Sequence, residues 1–299
     1  MPDIFELINL LPGGIAQGII YGIMGLGIYI TFKVLNESDM TVDGSFSTGA
    51  AVAIMLITNK INPYISIFAA FLSGCIAGLA TGLIHTKLKI PAILSGILVQ
   101  FGLYSINLHI MGNSSNVPCN PRTNHIMISS RDNVNAIIVG LVLAVIIIAI
   151  LYWYFGTEQG CAIRATGNNS RMAKAQGINI NNMKVIGFVL GNGLVALSGG
   201  INAQYLGFAD INIGRGSIVI GLASIIIGEV LLDAIFKKGC SFYTRLAGVI
   251  VGGIIYYFVM IIILWLNINT DDLKLATAII VMIFMAIPNL KKGVNHAKD

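Results

Sequence analysis

Residues 13–27 read GGIAQGIIYGIMGLG, and this stretch decides the fold class of the chain. It has one amide side chain, Gln17, and no charged residue, and it lies within an apolar segment over residues 12–35. About 20 apolar residues are enough for an α-helix to cross the hydrocarbon core of a membrane. The stretch therefore predicts a transmembrane helix near the start of the sequence.

The rest of the chain has the same character. Hydrophobic residues make up 56% of the 299 residues, charged residues make up 10%, and the mean hydropathy is +0.84. Soluble domains carry about 25% charged residues, and long apolar runs do not fit the alternating pattern of a membrane β-barrel. We predict an all-α integral membrane protein with about nine transmembrane segments, of which 44–58 is short for a full crossing. The segments lie at about 12–35, 44–58, 64–84, 91–111, 135–156, 184–205, 217–235, 246–266 and 274–290.

Two similar motifs indicate an internal repeat. DMTVDGS (39–45) precedes the second segment and DINIGRGS (210–217) precedes the seventh, and each follows a long glycine-rich segment. Segments 1–4 thus correspond to segments 6–9, and an offset of five crossings gives the two halves opposite orientations. Inverted repeats of this kind are typical of transporters, because two such halves can open to either side of the membrane. Spaced glycines such as Gly14, Gly18 and Gly22 are expected to serve close helix packing.

The positive charges predict how the chain lies in the membrane. With the N-terminus outside and the C-terminus in the cytoplasm, thirteen of the 18 Lys and Arg residues are cytoplasmic, as the positive-inside rule requires. Cys119 is then outside and Cys161 and Cys240 are inside, so an impermeant thiol reagent should label only Cys119 on intact cells.

Within a single transmembrane domain over 1–299, we expect a first repeat over 12–111, an outer loop and connector segment over 112–157, a cytoplasmic loop over 158–183, a second repeat over 184–290 and a cytoplasmic tail over 291–299.

One polar interruption breaks the apolar pattern, since residues 158–180 read EQGCAIRATGNNSRMAKAQGINI. Asn169 or Ser170 can cap a short helix that starts at Arg171, and Gly177 can end this helix in the left-handed conformation. So short a helix is marginal in water unless it packs on a partner. We therefore expect another protein to receive it on the cytoplasmic side.

The pattern from Glu158 to Asn179 resembles the cytoplasmic coupling loop of permeases in the branched-chain amino-acid type family of ATP-binding cassette importers. GGIAQGIIYGIMGLGIYITFKVLN (13–36) and IGLASIIIGE (220–229) are similar to two further conserved segments of that family. The resemblance covers residues 12–290, with the three motifs in the family's order. It implies an all-α permease subunit.

Three further motifs narrow the resemblance to one branch of the family. TVDGSF (41–46), KIPAILSGIL (89–98) and LYSINLHIMG (103–112) resemble most closely the permeases associated with substrate-binding proteins for tryptophan or tyrosine. SDMTVDGS (38–45) stands where the branched-chain transporters have an asparagine-rich turn, which argues against leucine, isoleucine and valine as solutes. The resemblance implies uptake of an aromatic amino acid.

The resemblance also implies the partners. The chain would form a homodimer in the bacterial plasma membrane, bind cytoplasmic ATPase subunits through the 158–180 loop, and receive its solute from an external substrate-binding lipoprotein. ATP and Mg would be bound by the ATPase, while this chain would bind no cofactor and catalyse no reaction, since it has no G-x-x-x-x-G-K-[ST] phosphate loop. The alternative to a docking role is that the glycines of this loop only form turns and that its positive charges only mark the inner face. Glu158 and Arg164 are expected to pair with each other or with the partner. The residues expected to serve ATPase coupling are Glu158, Gly160, Arg164, Ala165, Gly167, Asn169, Met172, Ala173 and Gly177.

Polar residues within membrane segments mark candidate solute paths, although hydrogen bonds between helices are the alternative for each. The two repeat-related turns are expected to gate the path, and Asp210 and Arg215 are expected to contact a zwitterionic solute or the binding protein. The alternative to gating is that the polar residues of these turns only form the turn and cap the next helix. For Glu229, another gating candidate, the alternative is an ion pair with Lys33 or Arg245. The gating candidates are Asp39, Asp43 and Ser45 at the inner face, Asp210, Asn212, Arg215 and Ser217 at the outer face, and Glu229 within the seventh segment. Further polar candidates are Gln17, Gln100, Asn107, His109, Asn192, Asn202 and Gln204.

Two other classes of protein share parts of this pattern. A secondary transporter driven by H⁺ or Na⁺ would use the same inverted repeat, with Glu229 or His109 as its proton site, but it would not need the 158–180 loop. A membrane enzyme would need converging catalytic groups, and the four histidines form no HExxH motif, so no metal site is expected. The net charge of +5 reflects inner-face cations next to anionic lipid, so nucleic-acid binding is not expected.

Overall fold

The computed structural model describes residues 4–120, 125–235 and 241–265, together with residues 275, 278, 279, 281 and 282. Within this part the chain forms ten α-helices, one π-helical turn and two short strands. The helices are α1 (Ile4–Tyr29), α2 (Val42–Thr58), α3 (Pro63–Lys87), α4 (Ala92–Ile110), α5 (Asn133–Gly156), α6 (Glu158–Asn168), α7 (Ser170–Ala175), α8 (Ile180–Leu206), α9 (Ser217–Ile235) and α10 (Phe242–Trp265). The π-helical turn Ile30–Val34 continues α1, and the strands are β1 (Asn116–Pro118) and β2 (Phe208–Asp210).

Seven helices in the described part of the chain are long and apolar enough to cross a membrane. They are α1 with its π-helical turn, α3, α4, α5, α8, α9 and α10, and each matches a predicted segment to within a few residues. α2 has 17 residues and is shorter than these, as the sequence indicated for segment 44–58. Most of the predicted ninth segment, 274–290, lies outside the described residues. The all-α membrane fold is confirmed.

Between α1 and α2 the chain turns back into the protein. The amide of Glu37 donates to the carbonyl of Thr31 (2.9 Å), and Asn36 takes a positive φ of 58°, a conformation that asparagine adopts more readily than most residues. Residues 37–41 then lead to α2, which is buried over most of its length. α2 therefore lies inside the bundle of helices.

The packing of the membrane helices has the symmetry that the predicted repeat requires. α3 packs along α8 and α1 packs along α10, while α2 packs on α8 and α9 packs on α1. Exchanging α1 with α8, α2 with α9 and α3 with α10 converts each of these pairs into another pair of the same set. Two repeats that correspond to segments 1–4 and 6–9 would give this arrangement, so the packing supports the predicted repeat.

Glycines bring α1 into backbone contact with α10, and α3 into backbone contact with α8. A Cβ at Gly18 of α1 would lie 2.6 Å from the Cα of Ile254 in α10. A Cβ at Gly78 of α3 would overlap the carbonyl oxygen of Phe188 in α8. Small residues allow such close approach in a membrane, where lipid offers no hydrophobic drive for helix association. The packing role predicted for the spaced glycines is confirmed.

Replacing Gly78 with alanine is expected to lower the free energy of unfolding by about 1–3 kcal/mol, because the new methyl group meets backbone that cannot move aside. Gly102→Ala in α4 is the matched control, since no atom lies within 4 Å of its Cβ position and alanine favours a helix over glycine. Thermal unfolding in detergent measures both variants. An unfolding midpoint for Gly78→Ala at or above that of the wild type would contradict the close contact.

A two-stranded sheet joins the two halves of the chain. β1 pairs with β2 in antiparallel fashion, with Asn116 opposite Asp210 and Pro118 opposite Phe208. Cys119, which follows β1, is only 2% exposed. Because a thiol must be accessible to react, the predicted labelling of Cys119 on intact cells is wrong.

Cys161 is exposed on α6 and gives a better test of orientation. With Cys240 changed to serine, an impermeant maleimide is expected to label inverted membrane vesicles and to leave intact cells unlabelled, because α6 is cytoplasmic in the predicted orientation. Adding Cys161→Ser in the same background should remove the signal from the vesicles. Labelling of Cys161 on intact cells would reverse the orientation.

Candidate functional site

Residues 158–180, which we call the coupling segment, fold as α6 and α7. The amide of Asn169 donates to the carbonyl of Ala165 (3.0 Å), so that α7 begins directly after α6. The side chain of Asn169 caps α7 by accepting a hydrogen bond from the amide of Met172 (3.1 Å), and Gly177 follows with a positive φ of 82°. The predicted roles of Asn169 as cap and Gly177 as terminator are confirmed, whereas α6 was not predicted.

α6 lies against the membrane helices through two glycines. Gly160 lies on the end of α5, where a Cβ would overlap the Cα of Phe155, and its amide donates to the hydroxyl of Thr157, which caps α6 (3.4 Å). Gly167 lies on the carbonyl oxygen of Val34, the last residue of the π-helical turn, and the contact leaves no room for a Cβ. α6 is therefore in backbone contact with both α5 and the end of the first membrane helix.

Arg164 lies over the ring of Phe242 at the start of α10, with its guanidinium carbon 5.6 Å from the ring centre. This is a cation–π geometry. Glu158 is exposed and forms no ion pair within the described part of the chain. The predicted pairing of Glu158 with Arg164 is therefore wrong, because residues six apart on a helix do not share a face. Pairing of either residue with a partner protein stays a prediction.

α7 has a buried side and an exposed side. Ala173 is 2% exposed, whereas its neighbour Met172 is 60% exposed. Arg171 and Lys174 flank this methionine and are also exposed. The helix thus presents Met172 between two positive charges, whereas Ala173, one of the residues expected to serve ATPase coupling, is not on the exposed side.

Ion pairs connect the cytoplasmic ends of several helices. Lys33 in the π-helical turn pairs with Glu229 in α9 (2.8 Å). Glu37 pairs with Lys184 at the start of α8, and the Lys184 Nζ lies 3.2 Å from Nε2 of His85 in α3. Pairing with Lys33, the alternative role for Glu229, is confirmed. The coupling segment therefore contacts a region in which the first membrane helix is tied to α8 and α9.

The first repeat-related turn is a closed hydrogen-bond network. Asp39 is 5% exposed and accepts from the amide of Thr41 (2.8 Å) and from Nδ2 of Asn192 in α8 (2.6 Å). Ser45 donates to Oδ1 of the same asparagine (2.6 Å). Buried polar groups need such partners, so Asp39 and Ser45 fix the start of α2 to α8.

Asp43 joins the first repeat-related turn to the second. Its Oδ1 accepts from the hydroxyl of Ser217 (2.9 Å) and the amide of Ile218 (3.0 Å), and its Oδ2 accepts from the amide of Gly216 (2.9 Å). The carboxylate thereby caps the N-terminus of α9, where the helix dipole favours a negative charge. The two turns are in contact at this point, so the predicted placement of Asp43 and Ser217 at opposite faces of the membrane is wrong.

The path of the chain explains this contact. Residues 37–41 lead inward from the end of α1, and residues 211–216 lead inward from β2, so that α2 and α9 begin inside the protein with their N-termini close together. Polar residues before an apolar run indicate where a helix begins. They do not indicate how deep in the membrane it begins.

Asp210 and Arg215 differ in their surroundings. Oδ1 of Asp210 accepts from the amide of Asn212 (2.7 Å), and Oδ2 accepts from Nδ2 of Asn116 in β1 (3.4 Å). Asn212 and Arg215 are exposed, and Arg215 forms no ion pair with any described residue. Asp210 thus stabilises the turn, which was the alternative to contact with the solute or the binding protein. The guanidinium of Arg215 is accessible to a ligand.

The two turns border a cavity of about 420 Å³ that is open on the side of Phe101 and Arg215, and we call it the interior cavity. It lies between α2, α4 and the turn before α9. Sequence reasoning singled out some of its lining residues and missed others, among them an aromatic pair on α4. Those singled out are Asp43, Gln100, Asn107 and Arg215, and those missed include Phe101 and Tyr104. The spacing of Gln100, Tyr104 and Asn107 along one helix face was the signal that could have revealed Tyr104.

The remaining intramembrane polar candidates lie elsewhere. Asn202 and Gln204 are buried in α8, and Gln204 accepts a hydrogen bond from the amide of Met127 (3.0 Å). Gln17 in α1 is half-buried, and His109 in α4 is exposed. These residues were expected either to line a solute path or to form structural hydrogen bonds, and the structural hydrogen bond is confirmed for Gln204.

Comparison with known proteins agrees with this architecture. Residues 10–287 match a family described as the permease component of the branched-chain amino acid transport system. The chain is 44% identical over 278 residues to a tyrosine transport system permease protein of Clostridioides difficile, an alignment that covers 92% of this chain and 90% of that protein. It is 30% identical to an uncharacterized protein of Rickettsia prowazekii, over 95% of this chain and 99% of that protein. It is 23% identical to the ribose import permease protein RbsC of Escherichia coli, over 97% and 88% of the two chains.

The family match extends over nearly the whole chain and includes the coupling segment, both repeat-related turns and the membrane helices that hold them. The resemblance seen in the 13–36, 158–179 and 220–229 motifs is confirmed. The chain belongs to the family of branched-chain amino acid transport system permease components.

Proposed function

We propose that this permease subunit imports an aromatic amino acid, tyrosine or tryptophan, with energy from ATP hydrolysed by a partner. The observation that carries the proposal is the way the coupling segment is seated. α6 lies against the backbone of the membrane helices, while α7 presents an exposed face. A membrane subunit driven by a separate ATPase needs both features, because the ATPase must bind one side and the other side must transmit its movement.

The ATPase subunit docks on the exposed face of α7, which Arg171, Met172 and Lys174 form. A methionine between two cations suits a groove with an apolar floor and an acidic rim. Movement of α7 passes through α6 and the contact of Gly167 with Val34 to the π-helical turn. Single π-helical turns inside longer helices lie frequently at functional sites.

From the π-helical turn the movement reaches the interior cavity by two routes. The Lys33–Glu229 pair leads to α9, and residues 37–41 lead to α2. The two routes meet at Asp43, which holds the N-terminus of α9 from the first turn of α2. Coupling requires only that ATP and the solute favour different states of these elements.

The complete importer contains two copies of this chain, two ATPase subunits and an external substrate-binding lipoprotein that delivers the solute. ATP and Mg bind to the ATPase subunits, and this chain binds no cofactor. The chain lies in the bacterial plasma membrane with its N-terminus outside, and its inner-face cations contact anionic lipid.

Two observations support an aromatic solute, and a third supports an ATP-driven mechanism. The relative at 44% identity is a tyrosine transport system permease protein. In the resemblance drawn from the sequence, SDMTVDGS (38–45) stands where branched-chain transporters have an asparagine-rich turn. A carrier driven by H⁺ would need a group that can take up a proton during transport. Glu229, one of its two candidates, is instead paired with Lys33.

Uptake into vesicles of purified components tests the proposal. Vesicles that hold this chain with its ATPase are expected to accumulate labelled tyrosine or tryptophan when ATP is inside and the loaded binding protein is outside. Because ATP supplies the energy, vanadate should stop uptake and an uncoupler should not. Uptake by this chain alone, or collapse of uptake with the uncoupler, would overturn the proposal.

A further inference from the structure

We propose that the interior cavity is a solute subsite that holds an α-amino acid in its zwitterionic form during transport. The inference rests on the proposed function for the class of solute and adds the residues that hold it. The cavity volume of about 420 Å³ falls within the range of roughly 300–1,000 Å³ that small-molecule sites occupy. Four features of its wall support the proposal.

The first feature is a buried amide oxygen without a partner. Asn107 is 1% exposed, and its Oδ1 accepts no hydrogen bond from any described residue. Buried side-chain oxygens almost always have a donor, so an unpaired one in the wall of a cavity calls for an explanation. Less than 1 Å² of this oxygen is exposed, so the Asn107 amide must rotate toward the cavity on binding, where the three N–H donors of an amino acid's ammonium group satisfy it.

The second feature is a pair of opposite charges on the cavity wall. Arg215 has no ion-pair partner among the described residues. Asp43 caps α9, but its Oδ2 accepts only one of the three hydrogen bonds that the carboxylate receives. A carboxylate oxygen can accept two. Arg215 therefore suits the carboxylate of the solute, and Asp43 together with Asn107 suits its ammonium group.

The third feature is the convergence of two helix N-termini. α2 begins at Val42 and α9 at Ser217, next to the lining residues Asp43 and Arg215. Each N-terminus carries a partial positive charge from the helix dipole. Asp39 accepts from the amide of Thr41 at the start of α2 and offsets the charge of that end. Arg215 and the N-terminus of α9 then face the single carboxylate of Asp43 on the wall, so the cavity favours a ligand with an anionic group. Helix N-termini inside a membrane bind anionic solute groups in this way in other transporters.

The fourth feature is the aromatic pair on α4. Phe101 is 73% exposed and Tyr104 is 42% exposed in the single chain, and both line the cavity. Residues three apart on a helix share a face, so the two rings form one apolar wall. Aromatic rings pack favourably on one another. The wall therefore favours an amino acid with an aromatic side chain over an aliphatic one of similar charge.

The first experiment measures uptake of labelled L-tyrosine by the complete importer in vesicles. Arg215→Gln is expected to lower the uptake rate at least about tenfold, because a charge-assisted hydrogen bond to the solute is lost. Arg131→Gln is the matched control, since it removes the same charge from the exposed loop before α5, and it should stay within about twofold of wild type. The ATPase should co-purify equally with both variants.

The second experiment detects the solute in the cavity directly. In a chain whose native cysteines are replaced by serine, Tyr104→Cys places a thiol on the cavity wall, and Ser114→Cys places a control thiol in the exposed outer loop. L-Tyrosine is expected to slow alkylation of the first thiol and not of the second. Tyramine, which lacks the carboxylate, should protect poorly, and Arg215→Gln should abolish protection by L-tyrosine. A residue with a merely structural role would not distinguish L-tyrosine from tyramine.

The outcomes separate this inference from the proposed function. If the wild-type importer takes up neither tyrosine nor tryptophan, the proposed function is wrong. If it takes up tyrosine, but Arg215→Gln behaves like Arg131→Gln and L-tyrosine gives no protection, the subsite is wrong and the importer stands. Equal protection by L-tyrosine and tyramine would also overturn the zwitterion subsite.

Discussion

Vesicles that carry Gly167→Val are expected to retain less than about a tenth of the wild-type rate of ATP-driven uptake. No Cβ fits between Gly167 and the carbonyl oxygen of Val34, so α6 must move away from the π-helical turn. Forcing extra atoms into such a contact costs about 1–3 kcal/mol, and the displaced α6 no longer transmits movement from α7. The amount of chain in the membrane should be unchanged, because the substitution lies outside the membrane-crossing helices.

Gly156→Val is the matched control for this variant. Gly156 lies two residues before the coupling segment, and no atom lies within 4 Å of its Cβ position, so its uptake rate should be close to that of wild type. Uptake, ATPase co-purification and the amount of chain in the membrane are measured together. Wild-type uptake by Gly167→Val at an equal amount in the membrane would remove the coupling role from this contact.

Asp43→Ala is expected to lower the free energy of unfolding by about 2–4 kcal/mol and to impair transport, because it removes the acceptor of three hydrogen bonds at once. The amides of Gly216 and Ile218 and the hydroxyl of Ser217 would lose their partner. α9 would then be free to separate from α2 at the interior cavity. Thermal unfolding in detergent and uptake in vesicles measure the two effects.

Asp132→Ala provides the matched control, since Asp132 also caps a helix. It caps α5 through a single hydrogen bond from the amide of Asn135 (3.2 Å) at an exposed position, and loss of such a cap costs about 1 kcal/mol. Asp43→Asn retains one carbonyl acceptor and should fall between the alanine variant and wild type. Equal unfolding midpoints for Asp43→Ala and Asp132→Ala would show that Asp43 is an ordinary cap.

Features that depend on neighbouring residues were predictable from the sequence. The segment predicted at 64–84 forms Pro63–Lys87, because the length of an apolar run sets the length of a membrane helix. Asn169 and Gly177 were predicted correctly because capping chemistry acts within one helical turn. The helix α7 could be placed for the same reason, whereas α6 was missed.

Features that depend on distant residues were not predictable. Asp43 binds Ser217 from 174 positions away along the chain, and no local pattern shows that two polar turns meet inside a membrane protein. Arg164 was expected to pair with Glu158 or with a partner protein, and within the chain the fold brings Phe242 to it. The interior cavity likewise arises from three separate elements.

The close contacts of α3 with α8 and of α1 with α10 have a mechanical consequence. Where backbone touches backbone, as at Gly78 and Gly18, there is no layer of side chains that could repack while one helix slides along the other. Each pair is therefore expected to travel as one stiff body, and rearrangement falls to hinges outside the pairs. The connections from α1 to α2 and from β2 to α9 are the segments best placed to bend when the importer changes the side to which it opens.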